Sequence, residues 1–295
     1  MYYPTLEQVW RYGKDGNLVP VFREIVADLE TPVSAFMKVN QGGYSFLLES
    51  VEGGERLARY SFIGTEPYRM LTVKGEDKTD PLPLIAEELN KYKMVPASEL
   101  PKFCGGAVGY LSYETVTRFE ELPSPERDPL GLPESLFMFV DTVLIFDHVT
   151  HKIKVLSHAH LDGNIEEAYQ KAVDKIDRLV DRLNQPFQPS QQMNAAPQVS
   201  ESKPSSNFTK EEYEAAVIKI KKYITAGEAI QVVPSQRLSR PTKAAPFDIY
   251  RALRTINPSP YMFYFDFNDF FIIGASPEIL VRVEDSTVVT RPLAG

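Results

Sequence analysis

The chain has 295 residues, room for one large or two ordinary domains, and 43% of them are apolar, so a sizeable core can form. Its formal net charge of -8, with no Lys/Arg-rich block, excludes the electrostatic footprint of a nucleic-acid binder. One cysteine, Cys104, excludes an internal disulfide and a cysteine-rich metal centre, and four scattered histidines argue against a soft-ligand metal site.

The opening residues, Met1 to Glu7, carry neither a basic n-region nor an apolar h-region. No apolar run approaches the length that a bilayer requires. The expectation is a cytoplasmic protein with no membrane association and no nucleic acid, acting on a small molecule or a protein partner.

In chain order, Phe36 to Val39 and Tyr44 to Glu49 read as two strands of a hairpin around Gln41-Gly42-Gly43. Arg59 to Gly64 and Met70 to Val73 follow as short strands. Pro83 to Tyr92 fits a helix, with Leu84, Ile85, Leu89 and Tyr92 on one face. Phe137 to Asp147 and Lys152 to Ser157 read as a strand pair turning at His148 to His151. Asn164 caps a helix bearing Ile165, Tyr169, Val173, Ile176, Val180 and Leu183 at helical spacing.

Residues 186–207 are rich in Pro, Ser, Gln and Asn and lack a hydrophobic period, so they read as a linker or long surface loop. This divides the chain into 1–185, 186–207 and 208–295. The third part opens on Thr209-Lys210-Glu211-Glu212, a capping box, followed by Tyr213, Val217, Ile220 and Ile224 along one face and Gly227 as the stop. A strand is expected from Ala229 to about Ser239, with Pro234 marking an edge or bulge. A short helix spans Phe247 to Ile256 and ends at Asn257-Pro258. Strands follow at Met262 to Phe267, Phe270 to Gly274, Ile279 to Glu284 and Thr287 to Thr290. Many strands with flanking helices define an α+β fold of antiparallel β-sheets packed with helices. The close on Arg291-Pro292-Leu293-Ala294-Gly295, directly after a strand-like run, reads as the front part of a longer protein cut within a motif.

Few motifs carry chemistry. Gly105-Gly106-Ala107-Val108-Gly109 lacks the spacing of a phosphate loop and reads as a glycine-rich strand where two backbones approach closely. Glu120-Glu121 and Glu211-Glu212 read as solvated surface or caps. His148 and His151 lie three apart without a third metal ligand nearby. His158 and His160 alternate after a strand and are expected to face solvent. Leu47-Leu48-Glu49-Ser50 sets an acid and a hydroxyl at the end of an apolar strand. An ordinary strand end is the simpler reading; the other is a grip on the ammonium of an amino-acid ligand beside an apolar wall. Asn257 to Met262 is a prolyl turn that ends a helix and starts a core strand, or delivers an aromatic and a thioether into a pocket.

Together these segments resemble the chorismate-utilising enzyme family, and within it the large subunit of anthranilate synthase, component I. The likeness is carried by Leu47 to Ser50, Arg59 to Gly64, Gly105 to Tyr110, Gln231 to Arg237, Asn257 to Phe263, Gly274 to Glu278 and Arg291 to Gly295. It covers nearly the whole chain, and its specificity lies in order and spacing. Isochorismate- and salicylate-forming relatives place a Lys where Gln231 stands, and a neutral amide cannot serve as that base. Aminodeoxychorismate synthases place a Lys where Ala294 stands, and alanine offers no nucleophile.

The resemblance implies a two-part architecture whose second part is incomplete. It implies a lyase that turns chorismate and ammonia into anthranilate and pyruvate, the first step of tryptophan biosynthesis. Ammonia would come from glutamine through a partner glutamine amidotransferase, component II. Mg²⁺ would hold the chorismate carboxylate through ligands expected beyond residue 295. L-tryptophan would inhibit by feedback, held by Ser50, Pro260, Tyr261 and Met262, with Glu49 a further candidate. Gly295 would be the first of a Gly-Thr pair lining the chorismate site. Catalytic residues are expected outside this chain, which by itself would make no anthranilate. The alternatives are a non-catalytic tryptophan-binding or partner-docking module and aminodeoxychorismate synthase component I.

Overall fold

The structure is a computed structural model that describes residues 1–51, 59–77, 79–123, 128–186 and 203–291. The chain folds as two compact units: Met1–Phe187 with Tyr250–Ala275, and Gln188–Ile249 with Ser276–Gly295. The sequence division grouped 250–275 with 208–295, whereas strand pairing seats that stretch in the first unit.

The helices are α1 (Leu6–Tyr12), α2 (Pro32–Val39), α3 (Pro81–Leu89), α4 (Ile165–Asn184), α5 (Lys210–Ala226) and α6 (Pro246–Ile256). The strands are β1 (Leu18–Val26), β2 (Ser45–Glu49), β3 (Tyr60–Thr65), β4 (Arg69–Val73), β5 (Gly106–Leu111), β6 (Ser135–Val140), β7 (Thr142–Asp147) and β8 (Lys152–His160). They continue with β9 (Ser205–Ser206), β10 (Leu238–Ser239), β11 (Tyr261–Asp266), β12 (Phe271–Ser276), β13 (Val281–Glu284) and β14 (Thr287–Thr290). This is the expected α+β class with antiparallel sheets.

In the first unit a seven-stranded sheet runs β1-β8-β7-β3-β2-β11-β12, and a three-stranded sheet runs β4-β6-β5. Strand side chains alternate between faces, so each strand of the large sheet feeds two layers. Phe46, Val143, Ile145, Leu156 and Phe265 meet Val108, Leu136, Met138 and Val140 of the small sheet in one core. Tyr264, one residue from Phe265, takes the opposite face and meets Phe36 of α2 and Tyr250 of α6 edge-on, at 5.4 and 5.9 Å between ring centres. Helix α4 buries Ala172, Val173, Ile176, Leu179, Val180 and Leu183, the stripe its spacing predicts, and Asn164 caps it by accepting from the Glu166 and Glu167 N–H groups.

Several expectations fail for identifiable reasons. Phe36 to Val39 is not a strand but the end of α2. Thr31 and Ser34 form a capping box there, with Pro32 in the first turn, and these start signals outweigh the local β-propensity. The run Phe137 to Asp147 is two strands, β6 in the small sheet and β7 in the large one, exchanged at Asp141. Residues 229–237 form no strand, and only Leu238 and Ser239 pair, with Ser206 and Ser205 at the end of the presumed linker. The remainder of that linker, 187–202, lies outside the described residues, as do Ala294 and Gly295.

His158 and His160 do not face solvent, because both lie on the face of β8 that meets the small sheet. His158 is 4% exposed, and burial pulls its imidazole down to about 4, although the Asp141 carbonyl and charge act the other way. His160 is half-buried against the rings of Tyr68 and Tyr92. The glycine run does mark a close backbone approach: a Cβ on Gly109 would come within 2.0 Å of the Leu136 carbonyl oxygen.

In the second unit, α5 has the expected capping box at Thr209 and Gly227 as C-cap at φ 82°. The antiparallel pair β13 and β14 turns through Asp285 and Ser286, both at positive φ. No described helix is long and apolar enough to cross a membrane.

Candidate functional site

The site grows from the ends of β2 and β11. These strands pair antiparallel, with Glu49 opposite Met262 and Leu48 opposite Phe263. Just past that pair the Val51 N–H donates to the Ser259 carbonyl at 3.1 Å, one residue out of the strands' register, which holds Ser50 beside the turn that leads into β11. The tertiary pairing thus brings Glu49, Ser50, Pro260, Tyr261 and Met262 together from two distant parts of the sequence. Asn257-Pro258 ends α6, and Pro260, which lacks an N–H, stands just before the first residue of β11, where no ladder donor is lost.

Their hydrogen-bond surroundings separate two neighbours that the sequence presents as one polar end. Glu49 shares the helix-side face with Met262 and Tyr264, and it is 4% exposed. The Tyr250 hydroxyl donates to Glu49 Oε2 at 2.5 Å, and Arg254 Nε donates to the same oxygen at 3.0 Å. Burial pushes the Tyr250 phenol far above its ordinary value, and the Glu49 charge adds to the shift, so the hydroxyl remains a donor.

Ser50 follows at the first position past β2. Its Oγ is buried and has no hydrogen-bond partner among the described residues. Leu48, Tyr60, Phe62 and Phe263, all partly buried, pack on the core at that strand end. The Arg59 guanidinium sits 4.9 Å from the centre of the Tyr60 ring and is tied to Asp147 at 2.8 Å. A buried hydroxyl without a partner costs free energy unless a ligand or water satisfies it. Beside an apolar aromatic wall, such a hydroxyl suits an amphipathic ligand with one polar end.

Sequence reading missed three members of this neighbourhood. Tyr250 and Arg254 lie one turn apart on α6, and their i, i+4 spacing was the only signal that they share a face. His148 was weighed only as a metal ligand. Its Nε2 lies 2.8 Å from Ser61 Oγ, and its imidazole is drawn down chiefly by burial, against the raising influence of Glu49 and Asp147. Gly295, expected at a chorismate site, lies outside the described residues.

The sheets that frame this strand end belong to a family of enzymes. The chain belongs to the chorismate binding enzyme family, whose model matches residues 43–295. Within that family it is 44% identical to anthranilate synthase component 1 of Acetivibrio thermocellus, over 100% of this chain and 63% of that protein. It is 45% identical to the probable anthranilate synthase component 1 of Schizosaccharomyces pombe, over 99% of this chain and 60% of that protein. The crystal structure of anthranilate synthase component I from Streptococcus pneumoniae TIGR4 superposes with a TM-score of 0.67 at 29% identity, covering 90% of this chain and 59% of that one. The chain therefore spans about 60% of the length of the curated relatives it matches.

Proposed function

We propose that this chain serves anthranilate synthesis as component I, and that the end of β2 beside β11 is its L-tryptophan site. The reaction joins chorismate and ammonia and releases anthranilate, pyruvate and one water. A partner glutamine amidotransferase supplies the ammonia, and the work is cytoplasmic. The family membership and the named relatives support the reaction. The regulatory reading rests on one observation, the buried hydroxyl of Ser50, which has no hydrogen-bond partner among the described residues, at the strand end whose core-facing side carries Leu48, Tyr60 and Phe263.

The chemistry of binding follows from those groups. The wall removes the indole from water, which stabilises the bound state by roughly 25 cal/mol per Å² of apolar area. Ser50 Oγ supplies a hydrogen bond to the zwitterionic end and loses its own desolvation penalty in doing so. Among the described residues no cluster of three His, Cys, Asp or Glu could hold a metal ion, so Mg²⁺ enters no step derived from this structure.

Two experiments test the reading. Deleting the coding sequence in its source organism is expected to cause tryptophan auxotrophy that supplied anthranilate relieves; growth without either supplement overturns the assignment. Calorimetric titration of the purified chain with L-tryptophan is expected to give saturable binding that Ser50→Ala abolishes. Equal binding by both proteins removes Ser50 from the site.

A further inference from the structure

From the geometry around Glu49 we infer that Tyr250 and Arg254 are positioning residues for the amino-acid site, acting through Glu49 rather than touching the ligand. The inference deepens the tryptophan-site reading and rests on it for the ligand alone. Three observations carry it.

First, both donors converge on one oxygen, Glu49 Oε2, from positions one helical turn apart. Two bonds to a charged acceptor hold the carboxylate in a fixed orientation, and hydrogen bonds to charged groups are among the stronger ones in proteins. Second, Glu49 is the last residue of β2, so clamping its side chain fixes the strand end from which Ser50 and Val51 leave. The Val51 N–H to Ser259 carbonyl bond then sets Ser50 against the turn that starts β11. Third, Tyr250 is 0% exposed and meets the Tyr264 ring edge-on at 5.9 Å, so the clamp is anchored in the core of the first unit.

Helix α6 is thus the reference surface against which the ligand-facing strand end is registered. Without the clamp, the β2 end loses its side-chain anchor, and fraying there displaces Ser50 Oγ.

The test uses the whole chain and two substitutions, Tyr250→Phe and Arg254→Gln, with Arg254→Lys as the conservative rescue. Amide hydrogen exchange reads the strand end directly. Exchange at the Val51 N–H is expected to rise about tenfold in Tyr250→Phe and in Arg254→Gln, with partial recovery in Arg254→Lys. Exchange in β7 and β8 should stay unchanged, which separates positioning from global destabilisation. Calorimetric titration is expected to show affinity for L-tryptophan falling about tenfold in the same two variants. Unchanged exchange at Val51 in both variants overturns the clamp. Raised exchange with unchanged affinity overturns its link to the site. If the wild-type chain binds no tryptophan while Val51 exchange still rises, the ligand reading fails and the clamp on the strand end stands.

Discussion

Tyr250 and Glu49 stand 201 positions apart in the chain, and the Tyr250 hydroxyl lies 2.5 Å from Glu49 Oε2. Glu49 is buried, and a buried carboxylate is stable only when paired and hydrogen-bonded, which Arg254 and Tyr250 do together. The adjacent Ser50 has the opposite character, a buried hydroxyl with no partner among the described residues. Among the described residues, one of the two is satisfied and the next is not.

Ser50→Ala should therefore separate stability from binding. Removing a buried hydroxyl that has no partner among the described residues relieves a desolvation cost of about 1 kcal/mol, so the unliganded protein should melt at the same or a slightly higher temperature. Tryptophan affinity should fall at the same time. Differential scanning calorimetry beside titration measures both, and a loss of stability in the unliganded variant would show that the hydroxyl has a partner.

His158 should make the first unit sensitive to mild acid. Its folded-state value is about 4, below the ordinary value for an exposed histidine, so its neutral form is favoured by folding. The stability it contributes is fully present above about pH 6.5 and is lost as the pH falls toward 4, a difference on the order of 3 kcal/mol. His158→Gln should flatten that part of the stability–pH curve measured by urea titration. An unchanged slope between about pH 6.5 and 4 would place the imidazole in water.

Asp141 should act in a lower window. Burial alone would raise its carboxyl, but His160, Lys175 and Thr142 together outweigh burial and hold it well below the usual carboxylate range. Its contribution is present above about pH 4 and is lost as the pH falls below it. Asp141→Asn leaves the partly exposed Lys175 and His160 side chains without their carboxylate partner, and losing hydrogen bonds to a charged group costs about 1.5–3 kcal/mol. Stability of this variant equal to wild type at neutral pH would count against the ion pair.

Gly109→Ala should unfold or strongly destabilise the small sheet. The new methyl would meet the Leu136 carbonyl oxygen at 2.0 Å and the Phe137 Cα at 2.7 Å, and backbone on the paired strand cannot move aside as a side chain can. A loss of about 1–3 kcal/mol or more in chemical denaturation is expected, as for overpacking. A neutral effect would show that β5 and β6 separate more easily than their register implies.

Cys104 should resist modification in the folded chain. It is buried, and burial pushes its thiol up to about 11, so little thiolate exists at about pH 8. Iodoacetamide should label it only after denaturation; rapid labelling of the native protein would reveal an opening of that core.

Elements that advertise their own ends were legible from sequence. Asn164, Thr209 and Gly227 mark helix limits through hydrogen bonds made within a few residues, and all three hold those positions in the structure. Stripes at helical spacing identified the buried face of α4. Segments whose state depends on a distant partner were not legible. Strand β1 was overlooked, in part because Pro20 interrupts its pattern; it lies at the sheet edge, where a missing N–H costs nothing on the open side. Residues 229–237 look like a strand yet form none, since β-pairing needs a neighbour that local sequence cannot specify. The exchange of sheets at Asp141 is equally invisible, because both halves of that run are apolar and extended.

The α+β class, the helix caps and the family likeness are written in local patterns, because capping and periodicity act over one or two turns of chain. The arrangement at the strand end is not. Glu49 and Ser50 read as one polar tip, yet Glu49 is clasped by Tyr250 and Arg254 while Ser50 has no such partner among the described residues, and the meeting of β2 with β11 brings Met262 and the turn before it alongside them. Backbone pairing is blind to sequence distance, so the partners that hold Glu49, and the absence of one for Ser50 among the described residues, were decided when the strands closed into a sheet.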